Sequence, residues 1–112
     1  MKTKKLDRGD WGAYFDQLSK ILEGKRATIE VASLDIGNQV EAENILLYGI
    51  TYDHKDNLIE VSLDGLDHMI PNPHDVEVVY GDEGVETIGV IDGDGRQQIV
   101  KLSDPLMLPS SE

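Results

Sequence analysis

Ile45-Leu46-Leu47-Tyr48-Gly49-Ile50-Thr51-Tyr52 is the most apolar stretch of the chain, and it lies within a longer run, residues 39–52. Aliphatic, β-branched and aromatic side chains favour a strand, and Gly49 inside it indicates a bulge or a sharp bend. The polar segment 53–57 has turn composition, and residues 58–63 then alternate apolar and polar side chains. The two runs therefore predict a β-hairpin with a bent first strand.

Further strands are predicted on both sides of this hairpin. Residues 26–34 alternate with a period of two, and a short strand covers residues 68–70. Pro71-Asn72-Pro73 ends that short strand, because proline has no backbone N–H to donate. The remaining predicted strands, separated by glycine-containing turns, are residues 76–80, 85–91 and 97–102.

One helix is predicted ahead of these strands, over residues 10–23. Asp10 is a favourable N-cap, and Gly24 supplies a C-terminal stop. The apolar side chains that recur at three- and four-residue spacing are Trp11, Tyr14, Phe15, Leu18, Ile21 and Leu22. A stripe of this width is typical of a helix that packs onto one surface. We expect it to close one end of a β core; a partner-binding helix is the alternative.

The predicted fold class is α+β, mostly β. It has an N-terminal helix followed by a six- or seven-stranded sheet. The sheet is expected to be antiparallel, because no crossover helices exist for a parallel one. It is either curled or closed into a small barrel of the Sm-like or SH3-like kind. The length of 112 residues suits one domain. We expect a single globular domain over residues 1–104 and a loosely ordered tail over residues 105–112.

Charge is uneven along the chain. Ten Lys and Arg residues against 22 Asp and Glu residues give a formal net charge of −12. Residues 1–26 hold seven cations and four anions, which is +3, so residues 27–112 carry −15. Such a surface repels phosphate backbones and anionic lipid. We predict no nucleic-acid or membrane binding, with any weak nucleic-acid contact confined to the Lys-rich first five residues. A basic protein partner or a homo-oligomer is expected, unless the acidity only keeps the domain soluble.

Several kinds of chemistry are excluded or disfavoured by residue type. The chain has no cysteine, which excludes disulfides, thiolate metal sites and thiol nucleophiles. It has no apolar run of about 18 residues and no secretory signal pattern, so we expect a cytoplasmic protein. No serine stands in a nucleophile elbow and no glycine loop has the lysine of a phosphate site. We therefore expect no enzyme, no catalytic or cofactor-binding residues and no cofactor.

Two segments deserve comparison with metal sites. Asp92-Gly93-Asp94-Gly95 is similar to the start of an EF-hand loop, but Arg96 and Ser103 stand where the fifth and twelfth positions require ligands. A glycine-rich β-turn is the prediction there. His68 and His74 flank the Pro-Asn-Pro element and have aspartates beside them, so a mixed His/Asp site is chemically possible.

The spacing of this second segment does not match a compact metal motif. Alternation along a strand places Asp67 and His68 on opposite faces, so their side chains diverge. We predict a fixed turn and no metal ligands. The alternative is a small-molecule or metal-binding domain that uses the segment from His68 to His74.

Several short motifs, by their order and spacing, give the chain a resemblance to a known family over residues 8–102. The motifs are Trp11, Phe15 and Leu18-Ser19 in the helix, Gly24, Ile29-Glu30-Val31, Gly37-Asn38-Gln39, residues 47–52 and His68-Met69-Ile70-Pro71-Asn72-Pro73. With them the chain resembles an uncharacterised bacterial family of small acidic proteins, a domain of unknown function. The resemblance implies a bacterial origin and a common fold, and no assigned activity, cofactor or catalytic residue.

A shorter likeness covers residues 47–58, which resemble the glycine and Asp…Asn pattern of Sm proteins. The basic and aromatic groups that hold single-stranded RNA are lacking around it, so RNA binding is not implied. The predicted function is a non-catalytic binding or structural module. Its acidic surface would meet a basic protein, or its sheet edge would form a homo-oligomer.

Overall fold

The computed structural model describes residues 2–22, 24–82 and 84–103. The elements are β1 (Lys2–Leu6), a 3-10 turn (Arg8–Asp10), α1 (Trp11–Leu22), β2 (Arg26–Ser33), β3 (Gly37–Asp53), β4 (Leu58–Leu63), β5 (Leu66–Pro71), β6 (Asp75–Gly81), β7 (Gly84–Ile91) and β8 (Gln97–Ser103). The strands form one sheet in the order β1-β6-β7-β8-β2-β3-β4-β5, and every neighbouring pair is antiparallel. The tail predicted over residues 105–112 lies outside the described residues.

The mostly β, antiparallel architecture with a short helix is confirmed, but the predicted strand count is wrong. The described chain has eight strands instead of six or seven, and one of them, β1, precedes the helix. Three of its five residues are lysines, a composition that opposes a buried strand and gives no strand signal. Lysines are instead typical of a terminal strand, and β1 pairs only with β6 at one edge of the sheet.

β3 joins the two parts of the sheet. It is 17 residues long and pairs with β2 up to Leu46 and with β4 from Leu47 onward. The register shifts between Leu47 and Gly49, so Tyr48 is an extra residue and the strand bulges at the predicted position. The side chain of His68 on β5 reaches Gln98 on β8, although three strands (β2, β3 and β4) separate β5 from β8 in the sheet. The sheet is therefore curled.

The core is aliphatic, and α1 closes it. From the helix, Trp11, Phe15, Leu18 and Leu22 are buried, and Phe15 has no exposed surface. The helix packs on β3 at Gly49, where an added Cβ atom would lie 3.2 Å from the Ser19 hydroxyl oxygen. α1 is thus a structural element of the core, as the sequence favours.

Candidate functional site

His68 is part of a buried polar chain. Its Nε2 lies 2.8 Å from Gln98 Oε1, and the Gln98 amide nitrogen donates to Asp92 Oδ2 at 2.9 Å. Gln98 and Asp92 are only 6% and 4% exposed. Because an amide oxygen only accepts hydrogen bonds, His68 Nε2 is the donor. The imidazole is therefore held by the fold at this nitrogen.

Asp92 organises the turn between β7 and β8. Its Oδ1 accepts the backbone N–H groups of Asp94 and Arg96, both at 2.9 Å, so with Gln98 the carboxylate accepts three hydrogen bonds. The segment is the predicted glycine-containing turn. Its aspartate is buried, which an Asp-Gly-Asp-Gly pattern does not reveal, because the same pattern is common in exposed turns.

His74 is exposed, and its backbone N–H donates to the Ile91 carbonyl at 2.7 Å. The same segment is also fixed through Pro71, whose carbonyl accepts from Gly93 N–H at 3.3 Å. Over residues 2–22, 24–82 and 84–103, no three His, Asp or Glu side chains are grouped so that they could hold a metal ion. The segment from His68 to His74 thus joins parts of the fold and presents no assembled ligand set.

Arg8 connects four parts of the molecule, although no motif in the sequence marks it as a candidate site residue. Its Nη1 donates to Tyr52 Oη at 3.2 Å and Asn57 Oδ1 at 3.1 Å, and its Nη2 donates to the Pro73 carbonyl at 2.9 Å. The guanidinium also lies over the Trp11 ring, 4.6 Å from its centroid. Arg8 therefore holds the start of the helix, the β3–β4 turn and the β5–β6 connection together.

Two tyrosines have raised pKa values. Tyr48, on the bulge of β3, donates to Asp64 Oδ1 at 3.0 Å, and this hydrogen bond raises the pKa of Tyr48. The hydroxyls of Tyr14 and Tyr80 lie 2.7 Å apart. Burial, and then the hydrogen bond to Tyr80, raise the pKa of Tyr14. The hydroxyls of Tyr14 and Tyr48 are therefore neutral near pH 7.

One surface depression has a cavity volume of about 560 Å³. It opens beside the ends of β7 and β8, and the charged side chains of its described lining are Lys25, Asp82, Glu86 and Lys101. Lys101 pairs with Glu30 at 2.8 Å, so this lysine is already engaged. The described lining of this depression therefore carries charges of both signs.

β5 forms the second edge of the sheet. It pairs with β4 over its six residues, and no described strand pairs with its outer side. On a terminal antiparallel strand, every second residue directs its N–H and C=O groups outward. β5 contains no lysine, and two of its apolar side chains, Leu66 and Met69, are 39% and 44% exposed. The outward-facing residues of β5 are Asp67, Met69 and Pro71. Pro71 has no N–H, and its carbonyl already accepts from Gly93. β5 is therefore an open edge at Asp67 and Met69, whereas β1 carries lysines.

The outer face of the sheet beside this edge is acidic. Asp53, Glu60 and Asp67 lie on β3, β4 and β5, one on each strand, and we call these three residues the acidic face. Ile59 pairs with Ile70 on the opposite, buried side. Between residues 27 and 95 the sequence has a single cation, Lys55, in the turn after Asp53, where its backbone N–H donates to Asp53 Oδ1 at 3.0 Å.

Weak nucleic-acid contact was predicted for the first five residues, and residues 2–5 of this segment belong to β1. Lys5 pairs with Asp75 of β6 at 3.2 Å. In the part of the chain that the structure describes, no helix has the length and apolar character needed to cross a membrane. The cytoplasmic location stays a prediction.

Comparison with known proteins gives two matches. A family model described as a family of unknown function (DUF5335) matches residues 2–111. An uncharacterized protein of Aquifex aeolicus (strain VF5) is 36% identical over 110 residues, which cover 97% of this chain and 99% of that protein. No solved structure matches the chain, so the likeness to Sm-like and SH3-like barrels stays a prediction.

Proposed function

The chain belongs to the DUF5335 family of unknown function, and we propose that it is a non-catalytic protein-binding module that takes up an extended segment along β5. The observation that carries this proposal is the outer side of β5 at Asp67 and Met69, where no described strand pairs with this terminal strand, which has no lysines. A segment added to such an edge gains main-chain hydrogen bonds, and contacts at alternate side chains give specificity.

The two edge strands of the sheet, β1 and β5, differ in the side chains that an added strand would contact. Lys2, Lys4 and Lys5 crowd β1 with charge, which is a common protection against edge pairing. On β5 the exposed Leu66 and Met69 would lose water contact when a strand is added. Burial of apolar surface is favourable by about 25 cal/mol per Å².

β5 is also held in place before any partner arrives. It pairs with β4 from Leu66 to Pro71, His68 bonds to Gln98, and the Pro71 carbonyl accepts from Gly93. A preformed edge avoids the ordering cost that a flexible segment incurs on binding. The geometry thus supports binding at this strand.

Self-association through the same edge is less favoured. If β5 of two copies paired around a two-fold axis through position 67, Asp67 of each chain would lie opposite Asp67 of the other, and like charges directly opposite across a strand pair are destabilising. For the metal-binding alternative, the described residues contain no group of three His, Asp or Glu side chains placed to hold a metal ion, and His68 Nε2 is bonded to Gln98.

The experiment is a selection from a library of random twelve-residue peptides displayed on phage, using the full chain. Binding of the selected peptides is then measured to two double variants. Leu66→Lys with Met69→Lys places two lysines on β5, and Leu34→Lys with Val40→Lys makes the same changes at exposed positions of the β2–β3 hairpin. We expect the first variant to lose binding and the matched control to keep it.

Circular dichroism and thermal unfolding must show that both variants fold. If β5 tolerates no lysine pair, Met69→Lys alone replaces the double variant, because Met69 is 44% exposed. Selected peptides that bind the β5 variant as tightly as the unchanged protein would contradict the proposal. Failure to select any peptide would contradict it as well.

A further inference from the structure

We infer that the segment taken up at β5 is basic, with lysine or arginine side chains alternating with apolar ones. This inference rests on the function proposed above, because it concerns the occupant of the same edge. It follows from which side chains an added strand would meet on each of its two faces.

On the outer face, an added strand would lie beside Asp67 and Met69. Glu60 is paired with Met69 on the neighbouring strand, so it lies one strand further in. Adjacent strands are about 4.8 Å apart, and the long stem of a lysine or arginine can cover an apolar residue while its charged end reaches further. A basic side chain could therefore lie over Met69 and reach Glu60, while another pairs with Asp67.

On the inner face, the added strand would meet Leu66, which pairs with the buried Leu63 and is itself 39% exposed. An apolar side chain there would complete the edge of the core. Because successive residues of a strand point to opposite faces, the two requirements alternate along the segment. The occupant is therefore basic at every second position and apolar between.

The charge of the whole chain favours the same occupant. A net charge of −12, with Lys55 the single cation in residues 27–95, attracts a basic segment over distance and repels an acidic one. A second copy of this acidic chain approaching with its own β5 brings further carboxylates and no compensating cation from that strand. Charge complementarity therefore selects against the two-fold pair and for a basic partner.

The experiment compares two probes on the full chain by isothermal titration calorimetry. One is a short peptide of alternating lysine and valine, and the other is the same peptide with glutamate in place of lysine. We expect the lysine peptide to bind at least about tenfold more tightly and to weaken as salt increases. Asp67→Lys should reduce its affinity, again by about tenfold.

The matched control is Glu41→Lys on β3, an exposed residue away from the acidic face, which makes the same change in net charge. It should leave the affinity within about twofold. An equal loss in both variants would mean that only net charge matters and would overturn the inference. If Asp67→Lys failed to fold, Asp67→Asn would provide the same test without charge reversal.

The outcomes separate the two proposals. If both peptides bind equally well and lysines at Leu66 and Met69 abolish both interactions, then β5 is a binding edge but its occupant need not be basic. In that case this inference fails and the proposed function stands. If neither peptide binds and the random library also yields no β5-dependent peptide, both proposals fail.

Discussion

Ser19 on α1 and Ile50 on β3 exchange two hydrogen bonds. The Ile50 N–H donates to Ser19 Oγ at 2.9 Å, and the hydroxyl donates to the Ile50 carbonyl at 3.0 Å. β2 pairs with β3 only as far as Leu46, so this side of β3 has no neighbouring strand at Ile50. The Ser19 hydroxyl therefore takes the place of a strand, and the helix is fixed to the sheet by a polar contact as well as by apolar packing.

Ser19→Ala should lower the free energy of unfolding by about 1–3 kcal/mol, because it leaves a backbone donor and acceptor of Ile50 without their partner. Alanine has a higher helix propensity than serine, so the loss of stability would come from the missing contact with β3 and not from the helix itself. Urea denaturation measures it. Ser33→Ala is the control, because the Ser33 hydroxyl bonds to Asp35 and Ile36 in an exposed turn. An equal cost at both serines would contradict this account.

Phe15→Ala should cost about 3–5 kcal/mol of stability, since Phe15 is fully buried and its removal leaves a cavity. Ile21→Ala on the same helix should change stability by less than about 0.5 kcal/mol, because Ile21 is 70% exposed. Thermal unfolding of the two variants checks the contrast. An unchanged melting temperature for Phe15→Ala would mean that α1 is not part of the core.

Arg8→Lys should lower the melting temperature although it keeps the charge. A lysine ammonium cannot reproduce the planar fork that contacts Tyr52, Asn57 and Pro73 together, nor the stacking on Trp11. Arg96→Lys, in the β7–β8 turn, is the matched control and should have little effect. Equal melting temperatures of Arg8→Lys and the unchanged protein would show that the Arg8 contacts do not stabilise the fold.

The elements that the sequence predicts correctly are those with local signals. The bulge of β3 follows from one glycine in an apolar run, and α1 follows from its apolar spacing and from Gly24. Ile21 also fits that spacing, yet its side chain is exposed. The spacing of apolar residues shows which side of the helix is apolar, but it does not show how much of that side the sheet covers. Local patterns thus locate most elements and some of the buried side chains.

The features that escape prediction depend on residues far apart in the chain. The partners of Arg8 lie 44, 49 and 65 positions away, and no local pattern connects them. The place of β5 at the sheet edge depends on how all strands pair, including β8 with β2. The candidate binding edge therefore becomes visible only when the order of the strands is known.

Asp92→Ala should be more destabilising than Asp94→Ala. The first removes the acceptor for two backbone N–H groups and for the buried Gln98 amide, which costs about 1–3 kcal/mol for each group left unsatisfied in a buried place. Asp94 is exposed, so its side chain makes a suitable control in the same turn. Urea denaturation of both variants gives the comparison, and similar stabilities would argue against a structural role for the polar chain to His68.

Tyr14 should make stability depend on pH under alkaline conditions. Burial and the Tyr80 hydroxyl raise the pKa of Tyr14 in the folded chain, so the unfolded chain releases this proton at lower pH than the folded one. The stability that Tyr14 contributes is therefore complete below the usual tyrosine pKa of about 10, and it is lost as pH rises through the higher folded-state pKa.

Tyr14→Phe keeps the ring and removes the titrating hydroxyl, so its unfolding free energy should fall less than that of the unchanged protein above about pH 10. The lysines titrate in both proteins, so their contributions cancel when the two unfolding free energies are subtracted. Tyr48→Phe is the control, because its hydroxyl bonds to Asp64 at an exposed position and should contribute less. Urea denaturation at a series of pH values measures the three proteins side by side. Parallel alkaline losses in the unchanged protein and in Tyr14→Phe would show that the Tyr14–Tyr80 contact has no part in the pH dependence.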